Sequence, residues 1–572
     1  MFSEEEGEMK MLLNQRNIGV LFAFCLMMLV LPLFSFINER SSVNDDLNIS
    51  HKILNKNGNS KIQGILNNII SMASLNGYEK AIKYCNKIGI KIDNDCVQVV
   101  VETTESSLLE QSIISTYFIE NTIARFGGRV ETSYRNQIQC WIPILALNEL
   151  ANTLFINLIR LPIRPKLLEY VSEGVDKIGA DQWQNMTPYR TDSSISKICI
   201  LDLGFKGYNS LLGIELPSSV VVKSFRSDND IYADIQHGTA CAEIVHDMAP
   251  NATLYLVNFD TDVEHHQAVD WIINQDINVI SYSIGWYNAG AGDGTGPICE
   301  DVEKAYQNGI YWVCSAGNDA DSHWEGYHVD SDNDGWLNFS GSDEILGFWV
   351  PAYTPVATFL NWNDWGYWNH FSYTGSNQDY DLYLWYYYNG NWYFVDSSYG
   401  EQNGSQWPTE AIGSWYLPIS TYWGVSIDKW YATKNNKLEL FVWGNTNAIE
   451  YNVQQGSLLI PSDAQNAISV GATDLSNDAL HYYSSRGPTH DGRIKPDFTA
   501  PSGVSTAVYG LYGFYGTSAS APHVAGAFPL MKEKTSYSID QIKRILESRA
   551  IDLGSTGKDN SYGIGRINLV KK

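Results

Sequence analysis

The sequence lacks the excess of basic residues that a nucleic-acid-binding protein needs. It has 38 lysines and arginines against 64 aspartates and glutamates, which gives a net charge of −26 and a pI near 4.7. Binding to a phosphate backbone requires a basic face, so the charge argues against a nucleic-acid partner. An acidic surface suits a protein that stays soluble outside the cell.

Cysteines are few, and their spacing is wrong for a zinc site. The chain has eight, no two of them form a Cys-x-x-Cys pair, and none follows Cys314. The long remainder of the chain therefore has no disulfide framework. Buried free thiols are the favoured state, and a disulfide among the last four cysteines (Cys199, Cys241, Cys299 and Cys314) is the alternative.

A long apolar run without a charge occupies residues 18–37. Twenty such residues can span about 30 Å of hydrocarbon as a helix, so residues 1–40 are predicted to be a signal peptide or a membrane anchor. Lys10 and Arg16 precede the run and favour a cytoplasmic N-terminus. The rest of the chain is then expected to be extracellular or at the cell surface, attached to the membrane through residues 18–37 if they are not cleaved.

Two different patterns follow before residue 171. Residues 41–95 are polar and rich in Asn and Lys, and they predict a linker with a helical segment. Residues 96–170 predict strands and helices in the order β-α-β-β-α-β, which is typical of a ferredoxin-like α+β unit. The extended segment that ends near Tyr170 is expected to cross a cleft as a strand.

Residues 171–321 and 456–572 have a third pattern, in which apolar strands alternate with helices. This predicts an α/β domain with a parallel sheet covered by helices on both faces, and active residues at the carboxyl ends of the strands. Residues 322–455 interrupt the pattern and contain 13 of the 18 tryptophans. Their alternating segments, separated by Asn-Gly and Gly-Ser turns, predict an inserted all-β sandwich.

The stretch from Gly516 to Gly526 (GTSASAPHVAG) has the form of a turn that leads into a helix of small residues. Such a turn can present the hydroxyl of Ser518 to a substrate. Because serine alone is a weak nucleophile, it needs a base within hydrogen-bond reach and an acid that orients the base.

Three upstream residues are candidate partners of Ser518. Asp202 ends a buried apolar strand, His237 begins a helix in Gln-His-Gly-Thr, and Asn318 follows a strand in Ser-Ala-Gly-Asn. Taken singly, a turn or capping aspartate, a polar cap or core histidine, and a turn asparagine are the better interpretations. The order Asp, His, Asn, Ser in these local contexts favours a catalytic set instead.

These four stretches resemble those of the subtilisin-like serine peptidases, or subtilases, over residues 172–318 and 456–570. The resemblance implies that Ser518 is the nucleophile, His237 the general base and Asp202 the carboxylate that orients it. It also implies that the Asn318 amide and the Ser518 N–H form an oxyanion hole. Leu203, Glu243, Ser502 and Ala519 differ from the usual family residues, but none of these changes removes a catalytic atom.

The same resemblance implies how a peptide substrate is bound. The segment Ser283, Ile284 and Gly285 resembles the edge strand that pairs with an extended substrate, and Ser315, Ala316 and Gly317 resemble one wall of the pocket before the cut. Residues 96–168 resemble the family's propeptide, an intramolecular inhibitor. Residues 345–452 resemble the pre-peptidase β-sandwich of secreted peptidases.

An acidic loop in the aromatic segment contains Asp330, Asp332 and Asp334, followed by Gly335. Carboxylates two residues apart can converge on a hard cation, so the loop predicts a structural calcium site. The twelfth position is Gly341 and not glutamate, which excludes an EF-hand, and Asp343 or Glu344 could complete the ligand shell. The alternative is a solvated acidic turn.

Together these features predict a secreted or membrane-anchored serine endopeptidase. Its partners would be protein or peptide substrates and its own propeptide. The alternative from another class is a cell-surface binding protein with a vestigial peptidase fold, in which the aromatic segment binds a glycan or a protein.

Overall fold

A computed structural model gives the structure of residues 58–87, 90–104, 109–163, 166–167, 174–187, 196–370, 372–444 and 448–570. These residues belong to one compact unit. The predicted membrane segment, residues 18–37, lies outside them, and so do the residues around Tyr170. Among the helices that the structure describes, none is long and apolar enough to cross a bilayer.

The N-terminal module, residues 58–167, combines four helices with an antiparallel sheet. Its elements in chain order are α1 (Gly64–Asn76), α2 (Tyr78–Lys87), β1 (Ile92–Asp93), β2 (Cys96–Thr103), α3 (Leu109–Arg125), β3 (Arg129–Tyr134), β4 (Gln137–Pro143), a 3-10 turn (Ile144–Ala146), α4 (Leu147–Ala151), β5 (Ile156–Arg160) and β6 (Lys166–Leu167). The sheet order is β1-β2-β4-β3, with β5 paired to β2. Strand β6 lies outside this sheet. The order β5-β2-β4-β3 is the ferredoxin-like arrangement that the sequence predicts.

The chain then begins the central sheet. This part contains a 3-10 turn (Asp176–Ile178), α5 (Ala180–Gln184), β7 (Lys197–Asp202), α6 (Tyr208–Leu211), β8 (Val221–Ser224), α7 (His237–Met248), β9 (Thr253–Asn258), α8 (Asp262–Ile273), β10 (Val279–Tyr282), β11 (Ile284–Gly285), α9 (Pro297–Gln307) and β12 (Tyr311–Ser315).

An all-β segment, here called the insert (residues 322–455), separates β12 from the rest of the central sheet. Its strands are β13 (His323–Tyr327), β14 (Leu346–Val350), β15 (Val356–Trp362), β16 (Asp379–Tyr388), β17 (Asn391–Ser398), β18 (Thr409–Trp415), β19 (Thr421–Tyr431) and β20 (Lys437–Trp443). They form two four-stranded antiparallel sheets, β13-β20-β15-β18 and β14-β19-β16-β17. Inward residues of both sheets share one core, as expected for a sandwich.

After the insert the chain completes the central sheet with β21 (Ala467–Asp474), β22 (Phe498–Ser502), the hairpin β23 (Val504–Thr506) and β24 (Gly510–Phe514), α10 (Thr517–Lys534) and α11 (Ile539–Arg549). The sheet order is β22-β21-β12-β10-β7-β9-β8, and all its pairs are parallel. Separate hydrophobic clusters cover its two faces. The predicted α/β class is therefore confirmed.

Helix α10 runs through the centre of this domain and is buried along most of its length. Small residues at its N-terminal half let it approach α7 closely. A Cβ atom on Gly526 would lie 2.5 Å from the Cβ of Met248 in α7, so only glycine fits there. This close packing brings the start of α10, with Ser518, against the helix that begins at His237.

The N-terminal module contacts both other parts. Tyr134 at the end of β3 stacks on His266 of α8 at 5.2 Å. On another side, α1 and the insert share one hydrophobic core. There Gly64 and Gly400 are so close that a Cβ on Gly64 would lie 2.3 Å from the Gly400 Cα. Helices α1 and α2 lie in the stretch for which the sequence predicts a linker with a helical segment.

All seven cysteines in the described residues are free thiols, and six of them are buried. This agrees with the favoured state and not with the disulfide alternative. Cys25 lies outside the described residues.

Candidate active site

Asp202 and His237 form a buried pair at the carboxyl end of the central sheet. Asp202 is the last residue of β7, and His237 is the first residue of α7. The His237 Nδ1 atom lies 2.8 Å from Asp202 Oδ2 and 3.0 Å from Oδ1, and the backbone N–H of Leu203 donates to Oδ1 at 2.8 Å. The carboxylate therefore holds the ring so that its other nitrogen, Nε2, faces away from Asp202.

The Nε2 atom of His237 is buried and has no hydrogen-bond partner among the described residues. A buried nitrogen without a partner is costly and rare in folded proteins. Unpaired groups of this kind are found where a ligand or a reacting atom binds. The geometry leaves this nitrogen able to accept or return a proton.

Asn318 is oriented by Thr517, the residue before Ser518. Both the backbone N–H and the hydroxyl of Thr517 donate to Asn318 Oδ1, at 2.9 and 3.0 Å. Because the amide oxygen is engaged in this way, the Nδ2 group points elsewhere. That nitrogen is buried and has no partner in the described part of the chain. The Asn318 amide thus offers two N–H donors beside the start of α10.

Ser518 is the second residue of α10 and is fully buried. Its hydroxyl donates to the Ser283 carbonyl at 3.3 Å, and its own carbonyl accepts from the Ser283 hydroxyl at 2.8 Å. The Cys241 thiol, one turn after His237 in α7, lies 3.7 Å from the same Ser518 carbonyl. The predicted nucleophile and edge strand are thus in contact, and Cys241 links this cluster to the helix that begins with His237.

The Cys241 thiol in this cluster stays protonated. Burial, together with the charge of Asp202, raises its pKa well above the usual value. A protonated, enclosed thiol is a poor nucleophile, so Cys241 acts as a packing residue beneath His237.

Glu243, which differs from the usual family residue at this position, has a structural role. This buried side chain lies two residues after Cys241 in α7 and accepts hydrogen bonds from the backbone N–H groups of Ala507 and Val508. Burial raises its pKa to about 7. Glu243 therefore holds the turn of the β23–β24 hairpin against α7, a role that a glycine could not fill.

The predicted substrate strand is occupied by the chain itself. Ile284 and Gly285 of β11 pair with Leu167 and Lys166 of β6 in an antiparallel ladder. An extended peptide added to the edge of a sheet makes backbone contacts of this kind. The N-terminal module thus places its last described strand where a peptide substrate is expected.

The residues predicted to form a pocket wall lie at the end of β12: Ser315 is its last residue, and Ala316 and Gly317 follow it. The Ala316 carbonyl accepts from the backbone N–H of Leu459 at 3.0 Å. A Cβ on Gly317 would lie 3.0 Å from Leu459 Cγ, and one on Gly285 would lie 2.4 Å from Leu459 Cδ1. The Leu459 side chain therefore fits between two predicted substrate-binding segments.

Sequence reasoning missed Thr517 and Leu459. Thr517 lies inside the Gly-Thr-Ser motif, so its position next to the nucleophile was the available signal. Leu459 follows the insert and is far in sequence from both glycines that it contacts, and no local pattern marks it.

The acidic loop lies in the insert, between β13 and β14. Asp330, Asp332 and Asp334 each have a carboxylate oxygen within 4.8 Å of the others. The Asp330 carboxylate accepts backbone N–H groups from Asn333 at 2.7 Å and Gly335 at 3.1 Å. Partial burial and the charges of the three aspartates raise the pKa of Glu344, one of the two residues named above as a further ligand. Several oxygens at such separations fit a hard cation such as calcium.

A second charged cluster joins the insert to the central domain. His490 Nδ1 donates to the Ala291 carbonyl at 2.7 Å, and His490 Nε2 lies 3.2 Å from a carboxylate oxygen of Glu439 in β20. Both ring nitrogens face acceptors, so the ring is a cation. The Glu439 charge raises the pKa of His490 to about 9.

Comparisons with known proteins identify a matching family. The model of the subtilase family, peptidase S8, matches residues 194–343 and 373–565, together more than half of the chain. Subtilisin Savinase of Lederbergia lenta is 36% identical over 138 residues, which cover 24% of this chain and 46% of that protein. An extracellular serine protease of Serratia marcescens is 29% identical over 167 residues, covering 24% of this chain and 16% of that protein. These matches span less than half the length of either curated relative.

Among solved structures, the Clostridium perfringens CspB protease aligns with a TM-score of 0.47 and 15% sequence identity. The alignment covers 69% of this chain and 97% of that one.

Proposed function

The chain belongs to the subtilase family, and from this membership we propose that it is a serine endopeptidase that acts through Asp202, His237 and Ser518. The observation that carries the proposal is the pair of buried nitrogens without partners, His237 Nε2 and Asn318 Nδ2. One is a proton acceptor and the other a hydrogen-bond donor, and both belong to the cluster around Ser518. This is the chemistry that acyl transfer requires.

The proposed reaction begins with a peptide paired along Ser283–Gly285. His237 Nε2 takes the hydroxyl proton of Ser518 as the oxygen attacks the scissile carbonyl carbon. Asp202 stabilises the imidazolium that forms. The Asn318 amide and the Ser518 N–H donate to the oxyanion, and one such donor is worth about 10²–10³ in turnover.

The tetrahedral intermediate then collapses. His237 gives its proton to the leaving amine, and the C–N bond breaks to leave an acyl group on Ser518. Water enters, loses a proton to His237 and attacks the acyl carbon. The bond between the acyl carbon and Ser518 Oγ then breaks, His237 returns its proton to this oxygen, and the second product leaves as a carboxylate.

We further propose that the N-terminal module is a propeptide that inhibits the enzyme. Strand β6 occupies the edge of β11, so a substrate cannot pair there while β6 is bound. If the antiparallel register continues by one residue, Leu168 is the residue next to the cut. Self-cleavage is then expected between Leu168 and Glu169.

A structural calcium ion is proposed for the loop of Asp330, Asp332 and Asp334. Bound there, calcium would neutralise repulsion among the carboxylates and fix the β13–β14 connection in the insert. Calorimetry with calcium should give binding to the wild-type protein and none to Asp332→Asn combined with Asp334→Asn. If calcium still binds after both substitutions, or does not bind the wild-type protein, the calcium proposal is wrong and the loop is a solvated acidic turn.

The location of the protein is proposed from two features. Residues 18–37 fit a signal peptide or a membrane anchor, and the Serratia marcescens relative is named an extracellular serine protease. We therefore expect the enzyme to act outside the cell or at its surface. Against a vestigial binding protein stands the presence of Asp202, His237, Asn318 and Ser518 in the sequence, since a vestigial site is free to lose any of them.

Labelling with a fluorophosphonate tests the catalytic proposal without knowledge of the substrate. The processed protein should form one covalent adduct, and peptide mass spectrometry should locate it on Ser518. His237→Ala should abolish labelling because the hydroxyl is no longer activated. An adduct at another serine, or labelling unchanged in His237→Ala, would refute the assignment.

A further inference from the structure

A cavity of about 280 Å³ lies where the N-terminal module, the central domain and the insert meet. The N-terminal module lines it with residues that include Leu161, Pro162 and Ile163. The central domain contributes Tyr287 and Asn288. The insert contributes residues of β15 and β18, among them Phe359, Glu410 and Ile412.

This cavity continues the line of the predicted substrate strand. Tyr287 and Asn288 follow Gly285 by two and three residues, which in extended chain is about 7–10 Å. In the segment that leads to the partner strand β6, Leu161–Ile163 precede Lys166, the partner of Gly285, by three to five residues. The segment that occupies the substrate strand thus also lines the cavity further along.

The central domain and the insert contribute a pair of stacked aromatic rings to the lining, here called the aromatic wall. The rings of Tyr287 and Phe359 stack with centroids 4.5 Å apart and planes only 6° from parallel. Tyr287 is buried, and Ile412 on the neighbouring strand β18 is almost fully buried. The insert therefore lines the same cavity as the N-terminal segment.

One polar atom in the lining of the cavity lacks a partner. Asn288 Nδ2 donates to the Glu410 carbonyl at 3.0 Å, which ties the central domain to β18. The Asn288 Oδ1 atom is buried and accepts no hydrogen bond from any residue that the structure describes. The backbone N–H of an extended peptide is a donor that fits such an acceptor.

We propose that the insert builds a distal subsite of the peptidase cleft, which binds an apolar residue lying six to eight positions before the scissile bond of a peptide substrate. The proposal rests on the proposed peptidase function. The N-terminal segment indicates which substrate residue binds there. If the cut follows Leu168, Ile163 is the sixth residue before the cut and Leu161 is the eighth. Once the propeptide leaves, the aromatic wall and Asn288 are free to contact the same part of a substrate.

Three peptides test the subsite on the processed full-length enzyme. The long peptide has the sequence of residues 161–173, and the short one that of residues 165–173. The third is the long peptide with serine at the positions of Leu161 and Ile163. The long peptide should have a kcat/KM at least about 10-fold above the other two, mainly through a lower KM, because burial of an apolar side chain favours binding by that order.

The variant Phe359→Ala should bring the ratio of long to short kcat/KM close to one. Phe394→Ala is the matched control, because Phe394 also belongs to the insert but is half exposed and does not line the cavity. It should keep the wild-type ratio. Equal kcat/KM values for the long and short peptides in the wild-type enzyme would overturn the subsite and leave the peptidase function intact. If no peptide is cut while Ser518 still takes the fluorophosphonate label, the subsite proposal fails and the peptidase function stands; if Ser518 is not labelled either, both fail.

Discussion

Leu167 lies opposite Ile284 in an antiparallel backbone ladder. The residue before Ile284 is Ser283, whose carbonyl accepts a hydrogen bond from the Ser518 hydroxyl. This relationship sets the expected position of self-cleavage. The N-terminus of the processed enzyme should be Glu169, as measured by N-terminal sequencing. Ser518→Ala should stay uncut at the full mass of its precursor. A mature chain that begins before residue 96 would contradict the propeptide role of the N-terminal module.

The contact between α1 and the insert predicts that alanine at Gly64 destabilises the protein, although this substitution usually stabilises a helix. Alanine for glycine in a helix normally stabilises it by about 0.5–1 kcal/mol. At Gly64 the new Cβ would meet the Gly400 backbone at 2.3 Å, so Gly64→Ala should instead destabilise the uncut protein by about 1–3 kcal/mol. Thermal unfolding in the Ser518→Ala background gives the comparison.

Ser71→Ala is the control for this experiment. Ser71 is on the exposed face of the same helix, and alanine there improves helix propensity without a contact. It should leave the melting temperature unchanged or raise it slightly. If Gly64→Ala behaves like Ser71→Ala, α1 does not dock on the insert as described.

The contact between His490 and Glu439 predicts a pH-dependent stability. The folded pKa of His490 is raised to about 9, mainly by Glu439 and further by Glu325, whereas its unfolded value is about 6.5. A raised folded pKa contributes stability that is complete below pH 6.5 and is lost as the pH rises through about 9. The full shift corresponds to about 3 kcal/mol, and solvent screening of this partly exposed ring should reduce its contribution to about 2 kcal/mol at pH 6.

The check is chemical denaturation of the wild-type protein and of His490→Gln at several pH values. The difference in free energy of unfolding should be largest near pH 6 and should shrink towards pH 10. A difference that is constant, or that grows with pH, would show that His490 is not a cation paired with Glu439.

Leu459 should limit the size of the residue that precedes the cut. Its side chain fits between Gly285 and Gly317, so Leu459→Ala should open space in the pocket. The ratio of kcat/KM for a peptide with Phe before the cut to one with Ala there should rise about 10-fold. Leu458→Ala, which changes the neighbouring residue, should leave the ratio unchanged. An unchanged ratio in Leu459→Ala as well would exclude Leu459 from the pocket.

The features that can be predicted from the sequence are those that neighbouring residues determine. Asp202, His237 and Ser518 each lie in a short motif at a strand or helix end. The local structure of such a motif depends on the residues within it and not on the distant segments that pack against it. The parallel sheet and the sandwich follow from residue periodicity and turn residues for the same reason.

The features that the sequence does not predict depend on contacts between distant segments. Gly64 meets Gly400, and Leu459 reaches Gly285 and Gly317, only because the insert and the N-terminal module pack as they do. A single sequence contains no periodicity or spacing that links such pairs. The orientation of Asn318 by Thr517 is of the same kind, because it needs β12 and α10 side by side.

The most direct test of the central claim is the peptidase activity of Ser518→Ala beside that of Ser520→Ala. Ser520 is in the same buried turn of α10, where its hydroxyl donates to the Ala500 carbonyl at 2.9 Å, so this variant controls for loss of a buried hydroxyl. With a peptide of residues 161–173 as substrate, the account predicts that Ser518→Ala loses at least about 10⁴-fold in kcat. Ser520→Ala should retain activity within about 10-fold of the wild-type enzyme. Cleavage by Ser518→Ala at the wild-type rate would contradict the account.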